Sequence, residues 1–454
     1  MPFSSLDPFT EHVLAEYPSQ DPSGIDDALA RADRAYRSWR HVEVKDRAEL
    51  MNRAAELLEG EIPVIAELMT REMGKTFAAA KGEAAKCALT MRYYAQHAPS
   101  MLDDEVIATS ASRSGVRFEP LGPILAIMPW NFPLWQVVRF VVPTLMAGNV
   151  VLVKHAPNVP GCALYLEDLF TRAGFGNGVL TNLFAEVEHV PDLIADVRVR
   201  GVTLTGSERA GRAVAELAGR HLKKCVLELG GSDPFLVAVS ADMSRTVSHA
   251  VTARVQNNGQ ACIAAKRFIV VAERSEEFID GFTEQMAHVR TGDPMDPATD
   301  LGPLATRAQR DLLSAQVADS LARGAVALTG GAPLEGTGYF YPATVLTNVP
   351  ANSRAACEEL FGPVAVVHVA HDLNQAIDLA NNSPWGLSAS IWASEAREIS
   401  AAIERLEVGM VFANANVASM PELPFGGTKR SGFGRELSVS GLREFTNAKT
   451  YYVA

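Results

Sequence analysis

Residues 124–154 read ILAIMPWNFPLWQVVRFVVPTLMAGNVVLVK. This stretch begins with an apolar run at 124–128, continues through a helical pattern at 134–146, and closes with a β-branched run at 150–153. The same alternation continues as far as residue 229. Strands that alternate with helices indicate a parallel, doubly wound sheet, and such sheets bind ligands beyond the carboxyl ends of their strands. The sequence therefore predicts an α/β fold with a crevice at that edge.

The flanking regions show other patterns. A second β/α series is expected after Gly231, with strands at 235–239 and 268–271, and residues 105–118 predict a hairpin. Residues 450–453 predict an edge strand. Residues 1 to about 100 predict helices, including 47–58 and 84–96. Apolar residues recur at three- and four-residue steps, which predicts one buried helix face: Ile25, Leu29, Ala32, Tyr36 and Trp39.

Composition excludes several classes of protein. A chain of 454 residues predicts two or three domains, and its net charge of −12 argues against sequence-independent nucleic-acid binding. Residues 1–20 lack the apolar core of a signal peptide, and the apolar region 137–153 is too interrupted to span a membrane. The five cysteines form no CxxC pair, which predicts no metal site and favours a reducing, cytoplasmic location: Cys87, Cys162, Cys225, Cys262 and Cys357.

Cys262 is the candidate nucleophile. It follows the polar stretch NNGQA at 257–261, between a predicted helix at 242–255 and the strand at 268–271. A thiolate attacks carbonyl carbon readily once its pKa is lowered. The alternative is a buried cysteine that packs as a small hydrophobe.

Three polar positions lie near predicted strand ends. The small-residue turn Gly206-Ser207 opens a helix, where free backbone N–H groups suit a pyrophosphate, although a simple helix cap has the same pattern. Lys154 ends a strand and is either solvated or bound to a nucleotide ribose. Asn131 is either a turn residue or a donor to a developing oxyanion.

Several motifs occur in one order along nearly the whole chain. They are PWNFP at 129–133, LTGS at 204–207, LELGG at 227–231, GQAC at 259–262, EELFGPV at 358–364 and PFGGTKRSG at 424–432. Together they resemble the aldehyde dehydrogenase family. The resemblance implies a Rossmann-type cofactor domain, an α/β catalytic domain and a small β ribbon for oligomerisation.

The resemblance also implies a mechanism. Cys262 would add to an aldehyde, Asn131 and the Cys262 backbone N–H would stabilise the oxyanion, and Glu228 would activate the water that hydrolyses the thioester. A glutamate at position 228 favours hydrolysis over acyl transfer to coenzyme A.

The cofactor positions carry over in the same way, and the matching residues are Trp130, Lys154, Gly206, Ser207, Glu359 and Phe361. Many relatives that prefer NAD have a glutamate three residues after the lysine, where this chain has Pro157. Without that carboxylate, a 2′-phosphate beside Lys154 meets less repulsion. We therefore expect NADP to be accepted, with NAD use plausible as well.

The substrate prediction depends on Arg139, eight residues after Asn131. Its position is similar to that of a carboxylate-binding arginine in succinate-semialdehyde dehydrogenases, where a guanidinium can hold a carboxylate bidentately. The alternative is a helix-surface arginine paired with an acidic neighbour. Gln256 stands where those enzymes often have a second arginine, and Ala264 stands where some have a second cysteine.

The resemblance predicts an NAD(P)-dependent oxidation, with succinate semialdehyde as the expected substrate. The alternatives are a broad-specificity aliphatic or aromatic aldehyde dehydrogenase and an inactive structural or binding homologue. The expected domains are a dinucleotide-binding domain (1–102 and 120–230), a catalytic domain (231–436) and an oligomerisation domain (103–119 and 437–454). A homodimer or homotetramer is expected, with no membrane or nucleic-acid partner.

Overall fold

The computed structural model describes residues 3–454. Its helices, numbered in chain order within that range, are α1 Pro22–Trp39, α2 Val44–Met73, α3 Phe77–Met101, α4 Trp135–Met146, α5 Pro160–Arg172, α6 Val190–Ala195, α7 Glu208–Arg220, α8 Met243–Val255, α9 Ser275–Ala287, α10 Arg307–Ala322, α11 Arg354–Cys357, α12 Leu373–Asn381, α13 Ala396–Arg405 and α14 Ser438–Glu444.

The strands are numbered in the same way. They are β1 Phe3–Leu6, β2 Val13–Tyr17, β3 Glu105–Val106, β4 Arg113–Pro120, β5 Pro123–Met128, β6 Val150–His155, β7 Leu180–Asn182, β8 Gly201–Thr205, β9 Lys224–Glu228, β10 Pro234–Val237, β11 Arg267–Val271, β12 Val326–Thr329, β13 Thr344–Thr347, β14 Val364–Ala370, β15 Trp385–Gly386, β16 Ser388–Trp392, β17 Met410–Ala413, β18 Thr428–Lys429, β19 Gly432–Phe433 and β20 Thr446–Val453.

Two large sheets organise the molecule. The first has the order β19-β9-β8-β5-β6-β7, in which β5 to β9 are parallel and β19 is antiparallel. The second has the order β12-β13-β14-β11-β10-β16-β17, with only β12 antiparallel. The predicted α/β fold is therefore confirmed. β5 and β6 are buried almost throughout because helices cover parallel sheets on both faces.

A third sheet lies apart from these two. β20 pairs along its whole length with β4, and β4 pairs with β3, so β20 is an edge strand as its sequence predicts. The first sheet consists of strands within residues 123–228 and of β19. β19 therefore joins the first sheet although it follows the strands of the second sheet in sequence. The domain boundaries given above stay a prediction.

The sequence prediction is wrong at the start of the chain. Residues 3–17 form the antiparallel pair β1 and β2 instead of a helix, while residues 1 and 2 lie outside the described range. The first helix does bury the predicted face, including Ile25, Leu29 and Trp39. The next helix runs to Met73 and passes through Pro63, well beyond the expected end at residue 58.

Candidate active site

The carboxyl ends of β5, β8 and β9 lie side by side at one cavity of about 400 Å³. Six of its lining residues are Asn131, Ser207, Glu228, Cys262, Glu359 and Phe361. Trp130 and Gly206 line it as well. The sequence motifs around residues 130, 206, 228, 262 and 359 thus converge on one crevice, at the sheet edge where parallel α/β folds bind ligands.

Cys262 also lines a second cavity, of about 220 Å³. Arg139 and Gln256 line this second cavity and not the first. Cys262 therefore lies where the two cavities meet, with the predicted cofactor residues other than Lys154 on one side and the predicted substrate residues on the other.

The loop that carries Cys262 is held in an unusual backbone conformation. Asn257, Asn258 and Gly259 have φ values of 54°, 57° and 71°, in the left-handed region that asparagine and glycine tolerate best. The Asn258 side chain donates to the carbonyls of Gly74 at 2.8 Å and Pro303 at 2.9 Å. These bonds tie the turn to other segments and so fix where the thiol lies.

Asn131 is oriented by the same loop. The Asn131 Nδ2 donates to the Gln260 backbone carbonyl at 3.0 Å. The Asn131 backbone carbonyl accepts from Asn257 Nδ2 at 2.8 Å. An amide NH₂ group has two hydrogens, so one remains available to an oxygen in the cavity. This geometry suits a donor to an oxyanion formed at Cys262.

The Cys262 thiol is strongly influenced by its surroundings. Burial raises its pKa to about 12, while the positive charges of Arg139 and Lys266 act in the opposite direction. Lys266 Nζ donates to the Ala261 and Cys262 carbonyls at 2.9 and 2.6 Å, and lies 3.2 Å from a carboxylate oxygen of Glu359. Burial thus disfavours the thiolate, so reaction at this sulfur needs a nearby proton acceptor.

Glu228 is one of two carboxylates, the other being Glu359, that line the first cavity together with Cys262. It is 2% exposed, and neither carboxylate oxygen has a hydrogen-bond partner within residues 3–454. Burial raises the pKa of Glu228 well above its usual range, and the Glu436 carboxylate raises it further, whereas Arg139 and Arg435 lower it. A buried, unpartnered carboxyl group of raised pKa suits a general base.

Arg139 is neither a surface residue nor a free cation. Its side chain forms an ion pair with Glu436, and both side chains are 2% exposed. Its guanidinium also lies 4.2 Å from the centre of the Phe425 ring. Gln256 Nε2 lies 3.4 Å from the Ala253 carbonyl, a long hydrogen bond.

The candidate cofactor residues show a good fit to a dinucleotide. Ser207 caps the first turn of α7, and its Oγ accepts from the Ala210 N–H at 3.3 Å. Thr205 Oγ1 is buried beside it without a partner in the described chain. The Trp130 and Phe361 rings meet edge to face, with centres 5.7 Å apart. A helix start, an orphan hydroxyl and paired rings on one cavity suit a pyrophosphate and a flat ring.

Lys154 lies apart from that cavity. It is the penultimate residue of β6, which runs one residue further than its sequence predicts; it is 5% exposed, and burial lowers its pKa. It is not among the residues that line the 400 Å³ cavity. Its role toward a nucleotide stays a prediction.

Sequence reasoning missed three polar residues of the site. Lys266 supports the Cys262 loop, while Lys86 and Ser419 line the second cavity. No motif marks them, because Lys86 lies in a helical stretch and Ser419 in a loop far along the chain.

The described residues, 3–454, contain no group of three or more His, Cys, Asp or Glu side chains placed to hold a metal ion. Within the same range, no helix combines the length and apolar character needed to cross a bilayer.

Comparison with known proteins agrees with this site. Residues 1–451 match the aldehyde dehydrogenase family. The chain therefore belongs to the aldehyde dehydrogenase family. It is 49% identical to an NADP(+) succinate-semialdehyde dehydrogenase of Mycobacterium avium (strain 104), over 100% of this chain and 97% of that one.

Two further comparisons cover almost the full length. The NADP(+) succinate-semialdehyde dehydrogenase 1 of Mycobacterium tuberculosis (strain ATCC 25618 / H37Rv) is 49% identical, with 100% of both chains covered. The crystal structure of succinic semialdehyde dehydrogenase from Streptococcus pyogenes, in complex with NADP+, superposes with a TM-score of 0.97 at 36% identity, covering 99% of each chain.

Proposed function

We propose that this protein oxidises succinate semialdehyde to succinate with NADP as cofactor. The observation that carries the proposal is the position of Cys262, which lines both cavities. The second cavity is lined by Arg139, Lys86 and Ser419, so an aldehyde with a distant carboxylate suits it better than an apolar one. The names of the similar proteins support the same substrate and cofactor.

The reaction steps belong to three residues. The Cys262 thiol gives its proton to Glu228, which lines the same cavity, and the sulfur adds to the aldehyde carbon to form a thiohemiacetal oxyanion. Glu228 then releases that proton to solvent. The free amide hydrogen of Asn131 and the Cys262 backbone N–H would stabilise the negative oxygen, an effect of about 3 kcal/mol for one such donor. After oxidation, Glu228 takes a proton from the water that attacks the thioester, and succinate leaves.

The cofactor residues are proposed as Trp130, Lys154, Gly206, Ser207, Glu359 and Phe361. When bound, the nicotinamide supplies the hydride acceptor for the oxidation. Ser207 and the α7 N-terminus would hold the pyrophosphate because the helix end is positive. Pro157, which brings no charge beside Lys154, favours NADP and leaves NAD use plausible.

We also propose a homodimer or homotetramer that assembles through residues 103–119 and 437–454. The exposed apolar side chains of Val106 and Val453 on the three-stranded sheet support this. A cytoplasmic location is part of the proposal, since the scattered cysteines suit a reducing compartment.

The test is a panel of aldehydes with each cofactor. We expect the highest kcat/KM for succinate semialdehyde with NADP, lower values for butanal and benzaldehyde, and no activity for Cys262→Ala. Equal kcat/KM for charged and uncharged aldehydes would indicate a broad-specificity enzyme instead. No activity with any aldehyde would indicate an inactive homologue.

A further inference from the structure

The first turn of α4 begins directly after Asn131. The first hydrogen bond of helical type in this turn runs from the Gln136 N–H to the Phe132 carbonyl at 3.0 Å. The N–H groups of Leu134 and Trp135 lie inside that turn, where no carbonyl of the same helix can reach them. Within the described chain, no side chain of the preceding loop caps this helix. The two N–H groups therefore need an acceptor from elsewhere.

Glu83 of α3 supplies this acceptor. Its Oε1 accepts from the Leu134 N–H at 2.8 Å and from the Trp135 N–H at 2.9 Å, although Glu83 lies 51 and 52 residues earlier in the chain. The side chain is 2% exposed. A carboxylate at this end of a helix also faces the positive end of the helix dipole. Glu83 thus caps α4 from a neighbouring helix.

Lys75 holds the other oxygen of the same carboxylate. Glu83 Oε2 forms an ion pair with Lys75 Nζ, and the Lys75 side chain is fully buried. Burial lowers the pKa of Lys75, while the charge of Glu83 raises it. The Lys75 ammonium also lies 4.2 Å from the centre of the ring of Phe132, the residue next to Asn131. The pair therefore fixes both the carboxylate and the loop that leads into α4.

The cap decides which groups compete for the Asn131 side chain. Asparagine side chains readily accept from backbone N–H groups two or three residues further on. Two residues after Asn131 stands Pro133, which has no N–H group, so the local donor is the Leu134 N–H. Glu83 already occupies that donor. The Asn131 amide is instead hydrogen-bonded to the Gln260 carbonyl at 3.0 Å.

We propose that Glu83 is a positioning residue for the oxidation: it caps α4 in place of Asn131 and so keeps the Asn131 amide aimed at the oxyanion formed at Cys262. Lys75 supports this role by compensating the buried charge. The inference rests on the proposed function, which makes Asn131 the oxyanion donor. Glu83 also lines the second cavity, but Lys75 and the start of α4 engage both of its oxygens.

Two double variants isolate the cap from the ion pair. Lys75→Met/Glu83→Gln and Lys75→Met/Glu83→Met both remove the two charges, and only the first keeps an oxygen that can accept from the α4 N–H groups. We expect the Gln variant to keep kcat for succinate semialdehyde within about threefold of the native value. The Met variant should lower kcat about 10- to 100-fold at unchanged KM, because a displaced catalytic group slows the chemistry. Equal kcat in the two variants would overturn the proposal.

The same comparison in an Asn131→Ala background tests whether Glu83 acts through Asn131. Exchanging Gln for Met at position 83 should then change kcat by less than about twofold, because the amide to be positioned is absent. A loss as large as in the protein that keeps Asn131 would contradict the proposed route. A rise in KM at unchanged kcat would assign Glu83 to substrate binding and would also overturn the proposal.

The start of α5 offers a matched control. Glu72 is 1% exposed and accepts from the Gly161 N–H at 2.9 Å and the Cys162 N–H at 3.0 Å, so it caps that helix in the same way. No residue of α5 has a proposed role in the chemistry. Glu72→Met should lower the urea midpoint of unfolding but leave kcat at saturating NADP within about twofold. A kcat loss equal to that of the Glu83 variant would show that any lost cap has this effect.

A crystal structure of Lys75→Met/Glu83→Met gives a measurement independent of activity. We expect the Asn131 side-chain oxygen to have turned to the Leu134 N–H, whereas an amide still bonded to the Gln260 carbonyl would overturn the proposal. If Asn131→Ala keeps the native kcat, the oxyanion role in the proposed function fails, and the Glu83 proposal fails with it. If Asn131→Ala loses kcat but the two Glu83 variants do not differ, the function stands and only the Glu83 proposal is overturned.

Discussion

Arg139 and Glu436 form an ion pair in which each side chain is only 2% exposed. Arg139 lines the substrate cavity, and both charges act on Glu228: Glu436 raises the pKa of Glu228 and Arg139 lowers it. One buried contact thus influences both the wall that meets the substrate and the carboxylate proposed to activate water.

Removing one partner of this pair should destabilise the fold. Arg139→Met leaves the Glu436 carboxylate buried without its counter-charge, which costs about 3–5 kcal/mol. The double variant Arg139→Met/Glu436→Gln should recover much of that loss, as measured by urea unfolding. Arg37→Met breaks a pair whose arginine is 75% exposed and should change stability by less than about 1 kcal/mol. Equal stability of the single and double variants would contradict a buried, mutually compensating pair.

The hydrolysis step should become faster as the pH rises. The pKa of Glu228 is raised, so the carboxylate that activates water forms only on the alkaline side of the usual glutamate range. Glu436→Gln removes the repulsion that raises this pKa and also frees the charge of Arg139, so the rate profile should shift to lower pH. The rate of acid release after a single turnover, measured by rapid quenching, gives the profile. A shift to higher pH would argue against this electrostatic coupling.

Asn131→Ala should slow the chemistry without greatly weakening substrate binding. Loss of one oxyanion donor lowers kcat about 10²- to 10³-fold. Steady-state kinetics of Asn131→Ala with succinate semialdehyde gives kcat and KM separately. Asn52→Ala, on an exposed face of α2, serves as the control and should leave both constants unchanged. A rise in KM at unchanged kcat would assign Asn131 to substrate binding instead.

Cofactor choice should respond to the charge at position 157. Pro157 is exposed, so a longer side chain can be placed there without entering the core. Pro157→Glu should lower kcat/KM for NADP and raise the ratio in favour of NAD, because a carboxylate repels the 2′-phosphate and accepts from ribose hydroxyls. Pro157→Gln has the same length without the charge and should shift the ratio less. Identical ratios in the two variants would show that charge at this position does not decide the preference.

Much of the site could be predicted because its residues follow short, strongly patterned strands. β5, β8 and β9 are apolar runs whose ends are marked by polar residues, and parallel pairing brings Asn131, Gly206 and Glu228 to the same edge. The helix before Cys262 and the strand after it also had clear patterns. The local pattern and the sheet topology are therefore sufficient to predict that these residues lie together.

Other features depend on contacts between distant parts of the chain. The pair β1 and β2 is short and weakly alternating, so its hairpin could not be distinguished from the helical region that follows. α2 continues through Pro63 because burial of Ile65, Ala66 and Met69 outweighs the lost hydrogen bond. The environment of Lys86 depends on a serine 333 residues away, and no helical pattern contains that information.

The turn before the nucleophile has a consequence for how the protein ages. Asn-Gly sequences lose ammonia when the asparagine side chain closes on the next backbone nitrogen. The Asn258 side-chain amide is hydrogen-bonded through both its oxygen and its nitrogen. Its Oδ1 accepts from the Gly302 N–H at 3.0 Å, and its Nδ2 donates to two backbone carbonyls. Ring closure must first break these bonds, so stored protein should keep this amide intact for as long as the loop stays folded.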